Sequence, residues 1–152
     1  MRLTESWPNS ALDRRAEVVS LPPMQLEQDF IKRHIQHLAQ LVARALRTQQ
    51  PEHLEAAQEE LDSAYSRLLP MDRQLFELLD PHQIAQQIAD PQRLMLIAEV
   101  MKAEVELCSS DGRSARGRRL AQRALAMLQE GNCEEPHHAQ REALRLYFEK
   151  LL

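Results

Sequence analysis

Apolar residues recur along most of the chain at the three- and four-residue spacing of an α-helix. In residues 28–46 this spacing gathers Ile31, Ile35, Leu38, Val42 and Ala45 on one face. Phe30, Leu41 and Leu46 widen that face beyond what one neighbouring helix can cover. We therefore expect this helix to contact at least two others and to form the spine of the domain.

Prolines mark the beginnings of several predicted helices. Pro51 is placed as the first residue of a helix over residues 51–69, where its missing N–H is tolerated. The loop before it is short, which makes this helix the antiparallel partner of the first. The Asp-Pro pairs at residues 80–81 and 90–91 each join a capping carboxylate to a helix-starting proline.

The later helices are predicted from the same spacing. We expect them, in chain order, over about residues 75–79, 81–88, 91–110, 114–130 and 136–152. The chain has 3 glycines and no β-branched run, so little of it favours a sheet. The predicted fold class is therefore all-α, built from antiparallel helix pairs.

A leader over residues 1–24 precedes the continuous helical pattern and is broken by proline at residues 8 and 22–23. It is interpreted as a mobile or loosely docked tail. In the alternative interpretation, its apolar Trp7 pins it to the domain or to a second copy of the chain. Residues 25–152 have the length of a single helical domain.

Charge and composition narrow the class of protein. A net charge of −4 and a pI near 5.9 disfavour general polyanion binding, which needs a summed positive field. Two cysteines are too few for a disulfide scaffold, and no apolar run approaches the roughly 20 residues of a membrane span. No apolar signal segment follows the N-terminus either. We expect a cytoplasmic protein without membrane contact.

The turn at residues 112–114 leads into small residues at Gly117, Ala121 and Ala124, and this pattern resembles the second half of a tetratricopeptide repeat. The spacings between comparable units are unequal, and Glu104 and Val105 stand where the repeat has its Leu-Gly pair. The resemblance implies a tetratricopeptide-like bundle or short solenoid, without the repeat's full motif.

Residues 28–128 taken together are similar to a bacterial family of uncharacterised helical proteins. The likeness begins with the pattern Asp-aromatic-Ile-x-Arg-x-Ile, here residues 29–35. A Glu-rich helix, a leucine-dense middle and a repeat-like hairpin follow in the same order. This resemblance implies an all-helical fold and brings no activity with it.

Histidines and cysteines raise the question of a metal site. His34 and His37 are three residues apart on one predicted helix, and Cys133 is followed by His137 and His138. His34 and His37 lie between the apolar face and the charged surface, and no Glu-x-x-His pair or close Cys-x-x-Cys pair supports them. We therefore interpret these histidines as partly exposed surface residues and predict no metal ligand.

Catalytic chemistry is not favoured by any motif. Cys108 falls on the predicted buried face of its helix, and the two glutamates after Cys133 would raise the pKa of that thiol. Carboxylates are abundant but are predicted on solvated faces, and no Gly-rich phosphate loop occurs. We expect a protein that is not an enzyme and uses no cofactor.

A basic stretch stands out in this acidic chain. No acidic residue interrupts Gly112 to Gln129, which contains Arg113, Arg116, Arg118, Arg119 and Arg123. Arginine forks bind carboxylates and phosphates, so an acidic peptide or a nucleic acid is a candidate partner. In the alternative interpretation, these arginines form a solvated face paired with Glu99, Glu104 and Glu106 on the preceding helix.

The sequence favours a non-catalytic adaptor that binds a protein or an acidic peptide through these arginines and Trp7. One alternative is a homodimer in which the leader crosses to the neighbouring subunit. A nucleic-acid binder that uses residues 113–123 is a further alternative, disfavoured by the net charge.

Overall fold

The computed structural model describes residues 23–110, 113–130 and 138–152. These residues form helices and connecting turns, and no strand occurs among them. The helices are α1 (Pro23–Thr48), α2 (Pro51–Leu68), α3 (Arg73–Leu78), α4 (Pro81–Gln87), α5 (Pro91–Ser110), α6 (Ser114–Glu130) and α7 (His138–Lys150). The predicted all-α fold class is confirmed. None of the helices in this part of the chain has the length and apolar character of a membrane span.

The helix boundaries follow the chemistry that predicted them. The Asp80 side chain accepts a hydrogen bond from the Gln83 N–H, and the Gln83 side chain accepts one from the Asp80 N–H, so α4 begins with a complete capping box. Asp90 likewise accepts from the Gln92 N–H ahead of α5. One cap was not predicted: Asp72, which accepts from the Leu75 N–H, begins α3.

Helices α1 and α2 pack as an antiparallel pair. Near their loop the Thr48 hydroxyl lies 2.6 Å from Nδ1 of His53, and farther along Nε2 of His34 lies 2.6 Å from a carboxylate oxygen of Glu60. The loop turns at Gln49, whose φ of 53° lies in the left-handed region. The Gln49 N–H caps the carbonyl of Ala45, which closes the helix end.

Helix α5 occupies the centre of the domain. From Leu94 to Cys108 every residue is buried except Glu99, Lys102 and Glu106, which are partly exposed. Because a helix that is apolar on nearly all sides must be covered on nearly all sides, α5 packs against α1, α2, α6 and α7. The prediction that α1 forms the spine is therefore wrong, although α1 does contact two helices, α2 and α5.

The leucine-dense middle buries less than its composition suggests. Of α3, only Phe76 is buried, while Leu75 is 45% exposed and Leu78 is 82% exposed. A six-residue helix has one inward side, so most of its apolar side chains must face outward. In α7, Leu144 and Phe148 form the buried edge.

Gly117 marks the closest approach of α6 to α5. A Cβ atom at this position would lie 3.4 Å from the Cβ of Cys108 and 3.6 Å from the carbonyl oxygen of Val105. The interface therefore has room for a methyl group and for nothing larger. Cys108 is fully buried beneath this contact, as predicted.

We expect Gly117→Ala to be at least as stable as the wild type, by up to about 1 kcal/mol, because alanine favours the helix and its methyl group fits. Gly117→Leu should lower the free energy of unfolding by about 1–3 kcal/mol through overpacking against Cys108 and Val105. Denaturant titration measures both variants. Equal stability of the two would contradict the close approach of α5 and α6.

Candidate binding site around Glu104

Glu104 is a carboxylate inside the apolar core. Its side chain is 4% exposed, although the sequence placed it on a solvated face, so that prediction is wrong. The hydroxyl of Tyr65 donates to one carboxylate oxygen at 2.6 Å. Arg73 and Arg116 both donate to the other oxygen, Arg116 at 3.1 Å. A buried charge needs such partners, and they come from α2, α3 and α6.

The two arginines extend this network toward the surface. Arg73 also donates to Asp62 at 2.6 Å, and its guanidinium lies 4.4 Å from the centre of the Tyr65 ring. Arg116 also donates to Glu77 at 2.8 Å, and this bond, followed by the charge of Glu104, raises the pKa of Arg116 against the opposing effect of burial. Arg116 therefore stays charged, and both guanidiniums bridge separate helices.

Tyr65 acts as a permanent hydrogen-bond donor. Its burial raises the pKa of its hydroxyl well above the usual value, and the neighbouring charge of Glu104 raises it further. Arg73 and Arg116 oppose this effect but do not reverse it. Tyr65 is consequently neutral at physiological pH and keeps its proton on the bond to Glu104.

Arg123 attaches α3 and the following turn to α6. Its Nη2 donates to the carbonyl oxygens of Phe76 at 2.6 Å and Leu79 at 2.9 Å. These carbonyls lie at the end of α3, where the helix provides no further N–H groups. The Nε of Arg123 is buried and is the one side-chain nitrogen or oxygen atom so buried that lacks a partner within the described segments.

These residues enclose a cleft of about 230 Å³. It is lined by Tyr65, Arg73, Phe76, Glu77, Glu104, Arg116, Arg119, Leu120 and Arg123. Four guanidiniums against two carboxylates leave a formal excess of two positive charges. Asp62, which bonds Arg73 from outside the lining, reduces the excess to one. The cleft is therefore suited to an anion.

Arg119 differs from the other arginines of the cleft. It is exposed on α6, and it forms no hydrogen bond or ion pair with any residue in the described parts of the chain. Its neighbour Arg118 is also exposed and unpaired there, but Arg118 does not line the cleft. Arg119 is therefore the cleft-lining arginine whose whole guanidinium is exposed and without a partner in the described segments, whereas the unpartnered Nε of Arg123 is buried.

The structure brings together three of the five predicted arginines, namely Arg116, Arg119 and Arg123. Arg113 is exposed outside the lining, and Trp7 lies outside the described residues. Of the three glutamates predicted to pair with these arginines, Glu104 does so with Arg116. Glu99 and Glu106 instead contact α7, through Gln140 and Tyr147 respectively.

Tyr65, Arg73 and Glu77 were not predicted as site residues, and Glu104 was predicted on the wrong side of its helix. One signal could have identified Glu104, because the positions three and four residues away on either side of it are all apolar. They are Val100, Met101, Leu107 and Cys108. A lone glutamate within an apolar helical stripe predicts a buried carboxylate with cationic partners.

A second cleft of about 420 Å³ adjoins the first. It is lined by Asp62, Tyr65, Ser66, Leu69, Met71, Asp72 and Arg73. Tyr65 and Arg73 line both clefts and therefore form the wall between them. The carboxylates of this second cleft are engaged by Arg73 and by the first turn of α3.

The histidines and cysteines do not assemble a metal site in the described segments, where no group of three or more His, Cys, Asp or Glu side chains is arranged around a common point. His34 contacts Glu60, and its side chain is 11% exposed. Cys133 and His137 lie outside the described residues.

We expect Glu104→Ala to lower the free energy of unfolding by about 3 kcal/mol, because it leaves Tyr65 and two guanidiniums without their shared acceptor. Tyr65→Phe removes one hydrogen bond and should cost about 1–2 kcal/mol. Glu142→Ala, which breaks the exposed pair with Arg145 on α7, is the control and should change little. Denaturant titration should rank the variants in this order, and equal losses would contradict the central role of Glu104.

The 2 tyrosines of the chain should titrate abnormally. Burial and the nearby Glu106 raise the pKa of Tyr147 to about 12, and the pKa of Tyr65 is also raised. The folded state therefore favours the protonated form of Tyr147 and gains stability from it. This stabilisation is complete below pH 10 and is lost as the pH rises from 10 toward the folded-state pKa of about 12.

Absorbance of the phenolate against pH measures this effect. The folded protein should show little phenolate at pH 10, whereas the protein unfolded in guanidinium should be about half ionised there. Half-ionisation of one tyrosine at pH 10 in the folded protein would contradict its burial.

Comparison of the chain with protein-family models, with curated proteins and with solved structures finds no match.

Proposed function

We propose that this protein is a non-catalytic interaction module that binds an acidic segment of a partner protein in the cleft beside Glu104. The observation that carries the proposal is the exposed guanidinium of Arg119, which lines a positively charged cleft and has no partner in the described parts of the chain. A guanidinium offers planar paired donors that match a carboxylate.

The surrounding residues support binding with little reorganisation. Arg73, Arg116 and Arg123 are each fixed by hydrogen bonds to other helices, so their positive charges are already in place before a ligand arrives. Phe76 and Leu120 provide an apolar floor, which lowers the local dielectric and strengthens charge attraction. The cleft therefore combines a preorganised positive field with one free donor group.

The size of the cleft favours a side chain over a polymer backbone. A volume of about 230 Å³ accommodates one or two acidic side chains of a peptide. The cleft is lined by residues of α2, α3, α5 and α6, and a groove between packed helices is the kind of surface through which helical-repeat proteins bind partners. The proposal also includes a tetratricopeptide-like arrangement of the helices. It further includes a relation to the bacterial helical family and a cytoplasmic location.

A nucleic acid is the second candidate ligand. It is favoured by the exposed side chains of Arg113, Arg118 and Arg119 on one helix and its N-terminal turn. Against it, Arg116 and Arg123 are engaged inside the fold, which leaves few cations for a phosphate backbone. The homodimer interpretation depends on Trp7, outside the described residues, and stays a prediction that light scattering tests.

The test compares Arg119→Glu with Arg118→Glu, two adjacent exposed arginines on the same helix of which only Arg119 lines the cleft. The probe is a fluorescein-labelled hexaglutamate peptide followed by fluorescence anisotropy. Wild type should bind it, and Arg119→Glu should weaken binding by about tenfold or more, because a charge-assisted hydrogen bond is lost and repulsion is gained. Arg118→Glu should weaken binding much less.

The outcomes distinguish binding of an acidic peptide in the cleft from binding of a nucleic acid. Equal weakening by the two substitutions, or no binding by the wild type, would overturn the cleft as the site. Binding of a single-stranded oligonucleotide with a steep salt dependence, together with no binding of the peptide, would favour the nucleic-acid function instead. Circular dichroism confirms that both variants remain folded.

A further inference from the structure

Two carboxylates of the chain itself lie in the cleft, and they are held very differently. Glu104 is buried and is bonded by Tyr65, Arg73 and Arg116. The side chain of Glu77 is 40% exposed, and its single close contact is with Nη2 of Arg116, at 2.8 Å. Its separation from Nε of Arg73 is longer, at 3.9 Å. Glu104 is therefore structural, and Glu77 is the carboxylate that can leave.

Glu77 lies where an acidic ligand would bind. It lines the same cleft as the unpaired Arg119, and it accepts a hydrogen bond from the part-buried guanidinium of Arg116, whose Nη2 also donates to Glu104. We infer that Glu77 is a built-in competitor, whose carboxylate occupies the Arg116 position that the carboxylate of an acidic peptide takes on binding. This inference rests on the proposed function and adds how the site is regulated and which group the ligand replaces.

Departure of Glu77 requires no movement of the helix that carries it. Helix α3 is fixed independently of Glu77 by the buried ring of Phe76, by the bonds from Arg123 to the end of the helix, and by the bonds of Arg73. A change of side-chain rotamer is enough to free Arg116 on the solvent side. Arg116 then keeps its bond to Glu104 and offers its other donors to the ligand together with Arg119.

The Glu77–Arg116 ion pair should lower the affinity for the peptide only modestly. An exposed pair contributes up to about 1 kcal/mol, which corresponds to roughly fivefold in an equilibrium constant, so removing Glu77 should tighten peptide binding by about threefold to fivefold. The ligand must displace Glu77 in the wild type, and this requirement lowers the affinity of every ligand that takes the Arg116 position by the same factor.

The experiment uses three variants of the full chain and the labelled hexaglutamate peptide. Glu77→Gln removes the charge. Glu77→Asp keeps the charge but shortens the side chain, so that it reaches Arg116 poorly. Glu142→Gln removes the same charge from an exposed arginine pair on α7, outside the cleft, and is the matched control. Affinities are compared with the wild type by fluorescence anisotropy.

Direct competition predicts tighter binding for both Glu77→Gln and Glu77→Asp, and wild-type affinity for Glu142→Gln. Tightening by Glu77→Gln alone would overturn the inference, because it would show a long-range charge effect. Wild-type affinity in both Glu77 variants would also overturn it, while the loss in Arg119→Glu would leave the proposed function standing. Absence of binding in the wild type and in every variant would overturn both.

Discussion

Helix α5 requires cover on almost every side, and the arrangement of the other helices follows from that requirement. Its residues from Leu94 to Cys108 expose only a narrow stripe at Glu99, Lys102 and Glu106. Burial of apolar area is the main stabilising term in a fold with little else to bury. The hairpin α1–α2, the partner helix α6 and the last helix α7 each cover a different part of its surface.

The one polar residue within the buried surface of α5 turns this packing arrangement into a chemical site. Glu104 is buried because α5 is buried, and a buried carboxylate must be matched by donors from whichever helices surround it. Those donors are Tyr65, Arg73 and Arg116, and the two arginines also bond Asp62 and Glu77 nearer the surface. Arg73 belongs to α3 and so attaches this short helix to the site. The arginines that neutralise this core carboxylate thus also contribute to the positive charge of the cleft.

The sequence predicted local structure well and tertiary pairing poorly, for a physical reason. Proline positions, Asp caps and 3.6-residue spacing depend on neighbours in the chain, and they located most helix ends within a few residues. The network around Glu104 joins residues from Asp62 to Arg116, and no local pattern encodes that meeting. Three cleft arginines were found through their charge, but Arg73 and Glu77 have no sequence signal that separates them from solvated residues.

The central position of α5 also bears on how the chain is made. Synthesis proceeds from the N-terminus, so the hairpin α1–α2 is complete before α5 exists. Until then the sides of α1 and α2 that later contact α5 lack its cover. The nascent hairpin consequently exposes apolar surface that favours aggregation, and this exposure ends when α5 leaves the ribosome and packs against it.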